Sequence, residues 1–300
     1  MKEDEADIHR KTASAFLAWM SLLLFFCASV VFSSRIARER SSISGRRGGD
    51  GLLLTISRRP SFAFGFRNIL ADAAWLEAVQ VAGVRRMAPA DYDRLAALIE
   101  TVNNFDPKFD VPYFLGGLIL GESPAHVPDA LRVLEKGRME LPSAWRIPFY
   151  EGYLRYFAQG DPLAGGMALE EAARVPGSPS YVPLLASRML AEGRRPETAL
   201  QFLSAMMREE TDPSRLRALE ARIRDVETER DIQLLERAVE RYRKKTASAP
   251  RALSDLVAAG ILQGLPTEPN GGGYFLEPDG SVRSDRVAHR LKVFRYDARH

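Results

Sequence analysis

Cysteine is nearly absent from this 300-residue chain: Cys27 stands alone, so no internal disulfide can form. Cys27 lies in an apolar stretch, where it acts as a small hydrophobe. Histidine is almost as scarce. His9, His126, His289 and His300 are scattered without metal-ligand spacing, which argues against a zinc enzyme. Net charge is small too, because 42 basic residues face 39 acidic ones and leave +3. So weak a balance does not point to nucleic acid. Phosphate-binding loops are also missing: GRRGGDG lacks the Lys-Ser/Thr that must follow, and NGGGY follows no buried strand. Glu170 with Glu171, and Glu209 with Glu210, are neighbouring carboxylates, but adjacent helix positions do not share a face. No catalytic constellation is visible, and the expectation is a protein without cofactor or enzymatic activity.

What is present begins with hydrophobic content of 46%, enough for a substantial core. Residues 1–12 form a short tail. Ala13 to Ser34 is a run of 22 uncharged residues, and about 20 apolar residues cross a bilayer as helix. The run exceeds the ~7–15 residues of a signal-peptide core, which favours an uncleaved single-pass anchor over cleavage near Val31 and Ser33. Phe26 before Cys27 is too bulky for a lipoprotein signal. Positive residues mark the cytoplasmic flank. Here Arg10 and Lys11 adjoin one end of the run, and Arg35, Arg38, Arg40, Arg46 and Arg47 follow the other. The second group, taken alone, places the body in the cytoplasm. Residues 35–60, rich in Ser, Gly and Arg, read as a basic flexible linker.

Residues 61–213 carry a regular punctuation. Pro107, Pro142, Pro176 and Pro213 follow helix-like runs at intervals of 35, 34 and 37 residues. A proline suits a helix boundary because it lacks the N–H that a helix interior needs. Before them, Phe66, Ile69, Leu70, Ala73, Leu76, Val79 and Gln80 recur at threes and fours and predict an amphipathic helix. Asp161 with Pro162, and Asp212 with Pro213, pair a cap residue with a first-turn proline.

This pattern resembles the tetratricopeptide repeat (TPR) family, whose units of about 34 residues place small residues where paired helices cross. Phe114, Gly117, Ala130, Leu134 and Gly137 carry the resemblance in one unit, and Gly152, Ala164, Ala168 and Pro176 in the next. A weaker copy runs from Tyr181 through Ala199 to Pro213, and Trp75 with Leu76 marks an earlier leading helix. The resemblance implies a mostly α fold, a TPR-like α-α superhelix whose leading helices line a concave, protein-binding groove. Tyr113, Tyr150, Tyr153, Tyr156 and Tyr181 are candidate partner-binding residues, since each pairs an aromatic body with a polar tip. Arg146, Arg155 and Arg188 are candidates to receive a partner's carboxylate.

Residues 214–245 contain neither proline nor glycine and predict capping helices, one long or two with a bend. The remaining residues, 246–300, change character: Leu253 to Val257 predict a short helix, and Tyr274 to Glu277 with Ser281 to Ser284 predict a hairpin turning at Asp279 and Gly280. The order resembles the periplasmic module of type II secretion pseudopilins through Glu240, Tyr242, Leu265, Pro266, Pro269, Gly271 and Tyr274. Glu268 stands where that family has aspartate, Asn270 replaces an aromatic, and the prepilin processing motif is lacking, so the chain is not itself a pilin.

Together these readings predict a membrane-anchored scaffold with a small α+β terminal module. Its expected partner is a protein or peptide in the groove, its expected setting bacterial envelope assembly beside a pilus, secretion or transport complex. The pseudopilin likeness places the body in the periplasm, against the arginine-rich flank. An envelope enzyme without a visible motif and a self-associating membrane organiser are the alternatives.

Overall fold

The computed structural model describes residues 57–58, 65–287 and 289–291. The expected tail, the membrane anchor and nearly all of the basic linker lie outside the described residues. Among the described residues no helix is long and apolar enough to cross a membrane.

Among residues 65–291 that are described, ten α-helices and one hairpin follow in chain order: α1 (Arg67–Ala82), α2 (Pro89–Phe105), α3 (Val111–Leu120), α4 (Val127–Glu140), α5 (Arg146–Phe157), α6 (Pro162–Arg174), α7 (Tyr181–Glu192), α8 (Pro196–Glu209), α9 (Pro213–Thr246), α10 (Ser254–Ala258), β1 (Tyr274–Leu276) and β2 (Val282–Ser284). The body is therefore mostly helical with a small antiparallel two-stranded sheet. From α1 to α9 every helix packs on the next one in the chain, and α3 also meets α5 as α7 meets α9. Starts are set locally. Asp161 accepts a hydrogen bond from the Ala164 N–H at 2.9 Å, and Asp212 accepts from Ser214 and Arg215, each cap followed by proline.

Two adjoining cores run through α1–α9. The first contains Leu98, Ile99, Phe105, Tyr113, Leu134 and Ile147; the second contains Tyr156, Leu169, Leu190, Phe202, Leu203 and Val226. Helices stack this closely because small residues sit at their crossings. A Cβ on Gly152 would lie 2.7 Å from the Gly165 carbonyl oxygen, and one on Gly165 would lie 2.9 Å from that of Gly152, so α5 and α6 cross backbone to backbone. In the preceding pair Gly117 of α3 makes room instead for a side chain: a Cβ there would lie 2.6 Å from Cγ of Leu134 on α4.

One expectation changes. The apolar series chosen for α1 is not the one that packs: Phe66, Ile69, Leu76 and Val79 are exposed, whereas Ala71, Ala74, Ala78 and Val81 are buried. Small alanines let α1 approach α2 closely, and a periodicity reading weighted toward large side chains selects the wrong side. Of the two readings left open for residues 214–245, the single long helix holds: α9 runs unbroken for 34 residues.

The second half of α9 carries the terminal module, where Ile232, Leu235 and Val239 pack with Leu253, Leu256 and Val282. The strands pair antiparallel with Tyr274 opposite Ser284 and Leu276 opposite Val282. Gly280 supplies the left-handed turn residue at φ +87°, and Asp279 accepts from the Ser281 N–H. Behind the hairpin, the buried Glu268 carboxylate accepts from the Thr228 and Ser284 hydroxyls and from the Asn270 and Gly272 backbone N–H groups. Burial alone would raise its pKa; bonds from Asn270, Thr228 and the Gly272 backbone outweigh that and hold it below the ordinary glutamate value.

Gly152→Ala should destabilise the body by about 1–3 kcal/mol, since neither backbone can retreat, and at this size each kcal/mol lowers Tm by about 2–4 °C in a thermal melt. A depressed folded-state pKa stabilises above the unfolded value and loses that contribution as pH falls through the folded one. Below about pH 4 the amides of Asn270 and Gly272 should therefore lose hydrogen-exchange protection, corrected for intrinsic rate, before those in α5–α8 do.

Candidate partner-binding face

A helix repeats its faces every three or four residues, so the surface of α5 can be read from spacing and exposure together. Arg146, Phe149, Tyr150, Tyr153 and Phe157 form one stripe, and all five are exposed or half-buried. The opposite side, Ile147, Glu151 and Leu154, is buried. The small residues Gly117, Gly152 and Ser187 occupy corresponding places in α3, α5 and α7, 35 residues apart in each step. Carrying the stripe by that interval gives Val111, Phe114, Leu115 and Leu118 on α3, and Tyr181, Leu184, Leu185, Arg188 and Glu192 on α7. None of these nine is fully buried. Three helices thus present one apolar and aromatic band.

The rings interlock across helices. Phe114 of α3 stacks on Tyr150 of α5 with centroids 5.7 Å apart, Phe149 meets Tyr150 edge-on at 5.4 Å, and Tyr181 of α7 meets Phe149 at 6.2 Å. Trp145 closes on Phe149 at 5.8 Å, and the Arg146 guanidinium lies 5.2 Å from the Trp145 ring and 5.9 Å from Phe114. Such contacts fix aromatic side chains in place before any ligand arrives, which lowers the ordering cost of binding. At the other end of α5, Tyr153 and Phe157 pack together at 4.7 Å while remaining 40% and 41% exposed.

The band ends in positive charge. Arg188 of α7 is followed 34 residues later by Arg222 of α9, and the buried Nε of each has no hydrogen-bond partner among the described residues. Burial lowers the pKa of Arg222 and Arg188 lowers it further, while Asp225 opposes both. Asp225, 3.6 Å from the Arg222 guanidinium, is itself pushed upward by burial against the pull of Arg222, Arg188 and Arg224. Arg222 pairs with this partly desolvated carboxylate, and Arg188 is close enough to act on both charges.

Five of the sequence candidates fall on this face: Tyr150, Tyr153, Tyr181, Arg146 and Arg188. Three do not. Tyr113 is fully buried beneath Gly137, its hydroxyl directed to the Pro107 carbonyl. Tyr156 is buried and donates to Glu192 at 2.7 Å. Arg155 lies on the far side of α5 and pairs with the buried Glu151 at 2.8 Å. Those three are corrected to packing residues. Phe149 and Phe157 are not among the sequence candidates, although their spacing of four residues from Tyr153 already places them on its face. Arg222 was hidden among the charges of α9.

Elsewhere, a cavity of about 350 Å³ separates α9 from β2, Val287 and residues 289–291, with Thr228, Ile232, Val282 and Ser284 in its wall. Arg290 closes one side by pairing with Glu229 at 2.6 Å and Glu236 at 2.7 Å. His126 is buried between the Ser123 hydroxyl and Asp93, against the Tyr92 ring. No group of three or more potential metal ligands gathers among the described residues.

In comparisons with known proteins, no family model, curated protein or solved structure matches the chain.

Tyr156→Phe should cost about 1.5–3 kcal/mol, the value of a bond to a charged acceptor, whereas Tyr153→Ser should stay within about 0.5 kcal/mol. Urea midpoints of the two variants separate a packing tyrosine from a surface one.

Proposed function

We propose that the protein is a membrane-tethered, TPR-like scaffold that holds a segment of another protein across the face built by α3, α5 and α7. The observation that carries the reading is the aromatic band itself: exposed or half-buried rings on α3, α5 and α7, already braced against one another. Amphipathic aromatics and arginine are the side chains that contribute most at protein interfaces, and an extended peptide or amphipathic helix fits a band crossing three helices. The positive charge gathered by Arg188 and Arg222 favours a segment with an acidic residue at the α7–α9 end.

The wider setting rests on the sequence. The uncharged run at residues 13–34 supports a single-pass anchor, which would raise the local concentration of a membrane-bound partner and let modest affinity suffice. The pseudopilin-like order of the terminal module favours a periplasmic body serving a pilus, secretion or transport assembly of the bacterial envelope. That module's placement on the end of α9 agrees with its being a cap that also presents a docking element.

Site-specific photocrosslinkers placed at Tyr153 and Tyr181 in the full chain, in its native cells, should capture the same protein, and one at Glu135 on α4 should not. Adding Phe149→Ser and Phe157→Ser should reduce capture at Tyr181 about tenfold or more, since hot-spot aromatics contribute about 2 kcal/mol or more each. Adducts formed only with a second copy of the chain would instead identify a self-associating organiser.

A further inference from the structure

The surface apolar side chains of the body are unevenly distributed. Phe66, Ile69, Leu76, Val79 and Val84, between 46% and 63% exposed, crowd into one helix and its flanks at the start of the body. Ile69, Ala73 and Leu76 lie on one side of α1, opposite the alanines that pack on α2. A helix apolar on both sides is normally buried on both, and an exposed apolar patch marks an interaction surface. The face differs from the α3–α5–α7 band in kind. Apart from Phe66 it holds aliphatic side chains, with no tyrosine, and its charged rim is mostly cationic: exposed Arg67 at one end of α1 and exposed Arg85 and Arg86 just beyond the other. Exposed Asp72 is the exception, while Glu77 is already paired with Arg94.

Large aliphatic side chains on one side of a helix, with arginines at its ends, suit the boundary between acyl chains and anionic headgroups. The chain supplies the means to reach it. Residues 57–58 are fastened to α2, where Arg58 pairs with Glu100 and the Ser57 hydroxyl accepts from Asn104. Between that fastening and the uncharged run ending at Ser34 lie 22 residues, a span of at most about 80 Å, which keeps α1 within reach of the bilayer.

We infer that α1 is an interfacial helix, its Ile69–Leu76 side seated on an anionic bilayer surface, so that the body is held against the membrane instead of swinging on its linker. This rests on the membrane-tether reading. Its consequence is that the array, with the partner-binding face on α3, α5 and α7, keeps a fixed attitude to the membrane.

The test uses the full chain with Cys27→Ser and a single environment-sensitive fluorophore on Leu76→Cys, reconstituted in vesicles of phosphatidylethanolamine and phosphatidylglycerol. A second sample carries the fluorophore on Glu135→Cys. The probe at residue 76 should shift to the blue and be quenched by lipids spin-labelled near the headgroup, while the probe at 135 does neither. Arg85→Glu with Arg86→Glu should weaken the docking by about fivefold for each arginine lost, the factor that about 1 kcal/mol per charge represents. A solvent-like probe at 76 would overturn the inference, as would a blue-shifted probe that lipid cannot quench, which would mean that protein covers α1. Alkaline carbonate tests the tether separately: a chain stripped from the vesicles, yet quenched at residue 76 beforehand, loses its anchor and keeps its interfacial helix. A chain that does not float with the vesicles at all sinks both.

Discussion

The close crossing of α5 on α6 at Gly152 and Gly165 is the constraint on which the rest of the array depends. With the two backbones in contact, side chains beside the crossing must interdigitate, and Tyr156, Leu169 and Leu190 fill the space between successive helices. Dense packing of this kind leaves little room for sliding, so each helix fixes the rotation of the next. One consequence is chemical. Because the same side of α3, α5 and α7 is turned outward each time, residues 35 positions apart come into line, and rings far apart in sequence become neighbours.

That alignment explains why the candidate binding face is rigid without being buried. Phe114, Tyr150, Phe149 and Tyr181 support one another across three helices and retain exposed edges. Arg188 and Arg222 continue the same line into α9, where like charges approach each other with a single carboxylate between them.

Helix α9 has two roles because of its length. Its first half completes the second core through Leu219 and Val226, and Gln233 donates to the Ala191 carbonyl at the end of α7. Its second half is the platform for the hairpin. Between them sits a polar belt of Thr228, Glu229, Asp231 and Gln233, each buried, with Asp231 accepting from the Tyr274 hydroxyl and Thr228 donating to Glu268. Hydrogen bonds that must all be made together define how the module sits on α9, where apolar packing alone would tolerate sliding.

Local features were fully legible in the sequence. The capped starts at Asp161 and Asp212, the turn at Asp279 and Gly280 and the helix boundaries near each proline depend on φ, ψ and a few neighbouring donors, which the residues themselves dictate. The mostly helical class followed from spacing for the same reason. Which side of each helix meets its neighbour was decided only by tertiary structure. Tyr153 and Tyr156 belong to the same residue type three positions apart, yet one faces solvent and the other Glu192. In α1 the alanines won the interior over larger aliphatics because close approach to α2 outweighed side-chain size. Arg188 and Arg222 are unremarkable in a chain with 42 basic residues; only the packing of α7 on α9 sets them side by side. Periodicity names the two faces of a helix, and the shape of its neighbour chooses between them.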